Sequence, residues 1–516
     1  MSEHEPLESV INLPVYRSSP VVLEDTTFFL ARTESGKQLG LLAPGESLLL
    51  RRFEGERLDR GGQTLLLCPL SHANALALRA VLPWLTPQPL GLATSAGCGD
   101  RLGLATPGHV RAARAVGGIA MIFAQQSIRE MTRTGRDPDH VMDDATWGTF
   151  QEGWQEGVGA DADHLKTVAD VDHCVAAGFT FYTIDPGDHV DSSADTAAES
   201  VIRAGYQALP WDRLDSSPTA MLAAYAGKHF DLEDQTLTLD EQTIERAAVK
   251  YGRAAAHTAA MYRHLASVIG DRPFELEVSV DETETPTSHA EHWFIANELR
   301  RLGVRWVSLA PRYVGRFEKG VDYIPTSAPA GGMCGDLGEF ERDFAGHARI
   351  ARAMGPYKLS LHSGSDKFSI YGIAARQARG LIHLKTAGTS YLEALRATAG
   401  FDHGLFREIL AFAIERYPVD RASYHVSADL RNVPDPSSIP DARLPGLLEL
   451  FDTRQVLHVT FGSVLTSERG FKERLFAGLA AHEEEHYEAL ERHFIRHLAP
   501  LRSPPAATHQ TGGPGH

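Results

Sequence analysis

The chain predicts a (β/α)8 barrel of TIM type enlarged at both ends, and three observations carry that expectation. Eight short apolar runs recur through the middle of the sequence, separated by stretches long enough for helices. The runs are nearly continuous in apolar residues, as parallel strands buried on both faces are. Each run ends in a burst of polar, titratable residues, which gathers chemistry at the carboxyl ends of the strands, where a closed barrel builds its active site.

Residues 1–85 precede the first run and read as a β-rich extension: VVLEDTTFFLART, LGLLAPGESLLLRRF and GQTLLLCPL are strand-like, with Gly-containing turns between them. The barrel is expected over 86–400, its strands in SAGCGDRLG, GIAMIFAQQS, GVGADADHLKT, FTFYTIDPGDHVD, FELEVSVDETET, VRWVSLAPRYVG, YKLSLHSGSDKF and LIHLKTAGTS. A helical insertion of about 191–268 interrupts it, because AAESVIRAGYQAL and EQTIERAAVKYGRAAAHTAAMYRHLASVI have helical apolar spacing with little interior Gly or Pro. Residues 401–500 read as a helical extension, and 501–516, RSPPAATHQTGGPGH at their core, as a disordered low-complexity tail.

The 516 residues carry 50 Lys plus Arg against 67 Asp plus Glu, a formal charge of −17, which argues against nucleic acid as a partner and for a small molecule. Cys68, Cys98, Cys174 and Cys334 are scattered, without the paired spacing of a zinc ribbon or redox motif, and read as thiols in a reducing compartment. The start MSEHEPLESV has no basic-then-apolar leader and no apolar run reaches membrane-spanning length, so a cytoplasmic protein with no membrane partner is expected. Oligomeric state is not legible in the sequence.

The chemistry-bearing residues follow the strands. After the first run, a glycine-rich turn carries Asp100 and Arg101, the latter suited by its planar fork to a substrate carboxylate. No acidic residue ends a second strand to complete a dinucleotide fingerprint, so no nicotinamide is expected. The third run ends in Asp161, Asp163, His164 and Lys166. An Asp-His dipeptide divides labour when the imidazole holds a metal and the carboxylate faces substrate as acid or base, which requires the strand to end or bulge there. His362 and His383, from the seventh and eighth runs, join His164 as a candidate metal set. Asp366, Lys367 and Lys385 accompany them, the lysines as candidates for the substrate carboxylate or as surface residues.

In the fifth run Glu275 and Glu277 share one face, and Glu277 is the candidate second acid/base or additional metal ligand, because an interior carboxylate needs a partner. Asp281, Glu282 and Glu284 read as a solvated rim, with His289 and His292 as weaker candidates behind them. Gln125, Asp185, His189 and Arg312 complete a polar ring. His482-Glu483-Glu484-Glu485-His486 satisfies a metalloprotease pattern, but AHEEEHYEALERHFIRHL reads as an amphipathic helix with a charged face.

Six longer strings add a resemblance: GDRLGLATPGH at 99–109, FAQQSIREMTRTGR at 123–136, GADADHLKT at 159–167, TIDPGDHV at 183–190, LHSGSDKFSIYGIAA from 361 and HLKTAGTSYLEALR from 383. With these the chain resembles the tagaturonate epimerase family, which interconverts D-tagaturonate and D-fructuronate in hexuronate breakdown. The resemblance implies a divalent cation (zinc, manganese or nickel), acid/base roles for Asp163 and Glu277, and metal ligation by His164, His362 and His383. It also implies a ketohexuronate substrate, and its relatives that act on neutral ketohexoses add tagatose and fructose. The two keto acids differ at a carbinol carbon β to the ketone, where simple enolisation cannot invert the centre. Two routes can: transient oxidation, which wants a tightly bound nicotinamide and is the weaker without a dinucleotide fingerprint, and retro-aldol cleavage with re-addition, as in class II aldolases. The alternative is an aldolase or keto-sugar isomerase on the same barrel.

Overall fold

The structure, a computed structural model, describes residues 7–328 and 335–502. Cys334 and residues 503–516 of the expected tail lie outside the described residues. Ahead of the barrel stands an antiparallel sheet of β1 (Val21–Leu23), β2 (Thr26–Thr33), β3 (Gly36–Pro44), β4 (Glu56–Arg60) and β5 (Gln63–Cys68), ordered β1-β2-β3-β5-β4. The helix His72–Val81 follows it, started by the Ser71 side chain accepting from the Asn74 amide.

All eight apolar runs are strands: β6 (Ser95–Cys98), β7 (Ala120–Ser127), β8 (Gly159–Leu165) and β9 (Phe181–Ile184), then, beyond the hairpin β10 (Lys228–Leu232) and β11 (Gln235–Leu239), β12 (Glu275–Ser279), β13 (Ser308–Ala310), β14 (Lys358–Leu361) and β15 (Ile382–Thr386). The barrel strands are parallel and close in sequence order, β15 pairing back onto β6. Period-two alternation divides each strand between two environments. Ala162, Tyr182, Val278, Leu309, Leu361 and Leu384 belong to the apolar core shared with the surrounding helices. The residues between them, Asp161, Asp163, Thr183, Glu277, Ser360, His383 and Lys385 among them, are buried and polar. Lys385 on β15 touches both β8 and β12 across the barrel, so this second set fills the interior.

The insertion is not wholly helical. Helices Glu199–Gln207 and Pro218–Tyr225 lead into the β10–β11 hairpin before the 29-residue helix Glu241–Ile269. The alternation of Phe230 and Leu232 with Leu237 and Leu239 about the polar pair Glu233-Asp234 is the strand signal there. Phe230 seats the hairpin on Trp293, ring centroids 4.0 Å apart.

The carboxyl-terminal helices pack on the barrel and reach the amino-terminal sheet. Glu483 accepts from Tyr16 Oη at 2.8 Å, pairs with Lys37 at 2.6 Å and also pairs with Arg32, fastening the two ends of the chain together. No helix among the described residues is long and apolar enough to cross a membrane.

The metalloprotease-like string does not sit on one helix. His482 falls between helices Phe471–Ala481 and Glu483–Leu498, where its ring stacks on Phe401 at 4.3 Å and its Nδ1 lies 3.1 Å from Glu485. His486 is buried in the following helix. With the two imidazoles in separate environments, His482→Ala is expected to leave the cation content of the purified protein unchanged by elemental analysis. Loss of bound cation would restore the motif reading.

Candidate active site

The site begins with an irregularity in β8. Its pairing with β9 shifts register between Ala162 and Leu165, and His164 there adopts φ +53°, in the left-handed region that few residues other than glycine occupy. A regular strand would send Asp163 and His164 to opposite faces. The bulge turns both toward one cleft at the carboxyl end of the barrel, which they line with His362 and Lys385. The condition that the Asp-His dipeptide imposes on its strand is therefore met.

Lys385 stands at the centre of the charges. Its Nζ lies 2.7 Å from Asp161, 2.7 Å from Asp163 and 3.0 Å from Glu277, and donates to Thr183 Oγ1 at 2.5 Å. Burial works against the ammonium, but Asp161, Asp163 and Glu277 hold its pKa above the ordinary lysine value. Burial likewise pushes each carboxyl up. The His164 and Lys385 charges override it at Asp163, and the Lys385 and His362 charges at Glu277, holding both well below the usual range. At Asp161 burial prevails over Lys385, with help from the like charges of Asp163 and Glu277, and its carboxyl is pushed up to about 7.

The two imidazoles face each other, ring centroids 5.1 Å apart. His164 Nδ1 lies 2.8 Å from Asp163, and its buried Nε2 has no hydrogen-bond partner among the described residues. His362 Nε2 lies 2.5 Å from Glu277 and its Nδ1 3.1 Å from Asp281. Burial lowers an imidazole, yet Glu277 and Asp281 carry His362 up to about 9, and Asp163 raises His164 well above its ordinary value. The cluster thus favours positive charge: Asp161, Asp163 and Glu277 surround the Lys385 ammonium, and Asp163, Glu277 and Asp281 raise the two imidazoles. A divalent cation with neutral imidazoles would supply the same charge. One ligand atom from each of Asp163, His164 and His362 lies within 4.8 Å of the others, and Asp281 Oδ1 is 3.7 Å from His164 Nε2, so this donor set fits a cation of the kind that nitrogen and carboxylate ligands hold.

Several candidate residues stand elsewhere. His383 lies one layer deeper in the barrel, two residues before Lys385 on the same face, with Nδ1 2.8 Å from Ser95 Oγ and its ring against Phe181. Glu277 is wholly buried beneath the cleft and reaches it through His362 and Lys385. Asp100 accepts three backbone amides, those of Leu102, Gly103 and Ala105, and holds its own loop. Lys367 gives its ammonium to the carbonyls of Glu318, Val321 and Ser365, tying two loops together. Asp366 pairs with Arg454 and His493 of the carboxyl-terminal helices. Lys166 is partly exposed against Asp188, and Asp185 accepts the Gly187 amide while lying within reach of His164.

Arg101 and Gln125 do line the cleft, and Arg312 lines the cavity beside it. Arg101 is clamped by Glu130 and by the His458 carbonyl, and lies 3.6 Å over the Phe461 ring. Gln125 crosses β6 above Gly97, where a Cβ would come within 2.1 Å of its Oε1. Arg312 Nε is buried and without a hydrogen-bond partner among the described residues.

Asp281 corrects the sequence reading. It was expected on a solvated rim, but the chain after β12 folds back and puts its carboxylate between His164 and His362, where the imidazole charges hold it well below the usual range despite its burial. Glu282 does form the rim, pairing with Arg129 at 3.1 Å. The carboxyl-terminal extension adds Tyr424 and His425 to the wall of the cavity, about 290 Å³ beside the cluster, and no local pattern in the sequence marks either residue as chemical.

The sequence model of the tagaturonate epimerase family (UxaE) matches residues 16–501. The tagaturonate/fructuronate epimerase of Thermotoga maritima is 44% identical over 484 residues, 94% of this chain and 96% of that protein. Two crystal structures of the fructuronate-tagaturonate epimerase from Cohnella laeviribosi, one native and one complexed with one glycerol, are similar with TM-scores of 0.88 and 0.87 at 37% identity. They cover 96% of this chain and 98% and 97% of their own. The chain belongs to the tagaturonate epimerase family of carbohydrate epimerases.

Proposed function

We propose that this protein interconverts D-tagaturonate and D-fructuronate by inverting one carbinol carbon, through retro-aldol cleavage and re-addition, with a divalent cation bound at Asp163, His164 and His362. The observation that carries this reading is the β8 bulge, which presents a carboxylate and an unpartnered imidazole nitrogen to one cleft beside the Lys385 ammonium. A cation bound there supplies Lewis-acid stabilisation of negative charge on substrate oxygen.

Asp163 lines the cleft with the His164 and Lys385 charges holding its carboxyl below the usual range, and it is the group that takes the hydroxyl proton from the inverting carbon. As that O–H bond gives way to a carbonyl, the bond to the carbon next to the ketone breaks, and its electron pair passes into the ketone to leave an enediolate. The aldehyde fragment turns, the bond re-forms on its other face, and Asp163 returns the proton. Lys385 keeps a positive charge beside Asp163 through both steps, and Glu277 orients His362 and balances Lys385 from below. Arg312, with its unpartnered Nε, and Arg129 on the rim offer cations to the substrate carboxylate.

The deciding experiment assays tagaturonate, fructuronate, tagatose and fructose with and without a chelator. Conversion of the two acids is expected, abolished by chelation and restored by zinc, manganese or nickel. Release of two fragments would mark an aldolase, a relocated carbonyl an isomerase, and turnover of the neutral sugars a wider substrate range. In deuterated water the inverted carbon is expected to keep its protium. Deuterium appearing on that carbon means direct deprotonation and ends the cleavage mechanism. Asp163→Asn is expected to lower kcat by about 10²–10⁴ with little change in KM, and a variant within tenfold of the natural rate would remove Asp163 as the base.

A further inference from the structure

Outside the barrel, on the far side of the loop after β13, three histidines and a carboxylate meet between helices His289–Arg301 and Gly338–Met354. The geometry points to a second cation site here, in which His289 Nε2, His347 Nε2 and Asp343 Oδ1 hold a zinc-type ion apart from the cleft.

Asp343 Oδ1 lies 3.8 Å from His289 Nε2 and 3.5 Å from His347 Nε2, and one ligand atom from each of the three residues falls within 4.8 Å of the others. Ligand atoms around a tetrahedral zinc stand about 3.3 Å apart at ordinary bond lengths, so little movement brings the three together. Asp343 Oδ2 is already used, accepting the Val314 amide at 3.1 Å, which fixes the carboxylate and leaves Oδ1 facing the imidazoles.

His347 is wholly buried, and its Nε2 has no hydrogen-bond partner among the described residues. Its Nδ1 lies 2.8 Å from His292 Nδ1, and His292 Nε2 lies 2.7 Å from Tyr357 Oη. With His347 Nδ1 donating to His292, and His292 Nε2 donating to Tyr357, His347 Nε2 keeps a bare lone pair pointed at the other two ligands. Such an outer hydrogen bond is how ligating histidines are oriented and their tautomer chosen. His289 reaches the site because residue 346 is glycine: a Cβ there would lie 2.1 Å from the His289 ring. Without the ion, His289 Nε2 lies 3.0 Å from the Asp343 carbonyl and donates to it; with the ion, the single ring proton sits on Nδ1 instead.

The ion would join both helices to the loop bearing Val314, whose neighbours Arg312, Tyr313 and Arg316 line the cavity beside the cleft. This gives the site a positioning role without contact with the reacting atoms.

The test is zinc content per chain after loading with zinc and gel filtration, for the natural protein, His289→Ala, Asp343→Asn and His164→Ala. His289 is partly exposed and its loss leaves the core packed, and Asp343→Asn keeps an acceptor for the Val314 amide. Each of these two variants is expected to hold one zinc fewer per chain than the natural protein, and with cobalt in place of zinc to lose the visible absorption of one tetrahedral ion. His164→Ala retains this ion, so its result reports on the cleft alone. Equal zinc content in the natural protein, His289→Ala and Asp343→Asn would overturn the proposal.

Discussion

The Lys385 ammonium, buried in the barrel among Asp161, Asp163 and Glu277, is the interaction on which the cleft depends. An unpaired charge so far from water is too costly to keep. Removing one partner of a buried set is more damaging than the set's net worth suggests, because the others are left without compensation. Lys385 has Asp161 and Asp163 of β8 on one side and Glu277 of β12 on the other, so the strands that carry the candidate chemistry are held at a common level. The interior is therefore an electrostatic lattice, while the outward faces of the same strands supply the apolar core.

The β8 bulge acts on that lattice. Alternation along a strand can offer the cleft only every second side chain, and the register shift at Ala162 to Leu165 lets Asp163 and His164 both reach it. The left-handed backbone of His164 is held by what surrounds the ring: Asp163 on one nitrogen and the His362 imidazole facing it. Fold and site are coupled here, since the residue that departs from regular strand geometry is also the one whose Nε2 makes no hydrogen bond among the described residues and faces Asp281 at 3.7 Å.

The extensions also serve the barrel. Lys367 and Asp366, at the end of the β14 loop, are engaged with other loops and with the carboxyl-terminal helices, and Glu483 ties those helices to the amino-terminal sheet. Tyr424 and His425, far along the chain from any barrel strand, wall the cavity, and Ser427 close by donates to Glu318 at 2.7 Å.

Every barrel strand was legible in the sequence, because a strand buried on both faces must announce itself as an apolar run, and the polar bursts after the runs marked the end at which Asp163, His164, His362 and Lys385 meet. The condition on β8 followed from strand geometry alone. Depth and partnership were not legible. Asp281 reads as rim and Glu277 as a second acid/base or metal ligand from their neighbours in sequence, yet the chain's return after β12 half-buries Asp281 between imidazoles, and strand register sets Glu277 and His383 below the surface that substrate can reach. Local pattern reports which way a side chain turns along its own strand, whereas how deep it lies and what charge it meets depend on strands and loops hundreds of residues away, whose relative heights only closure of the barrel establishes.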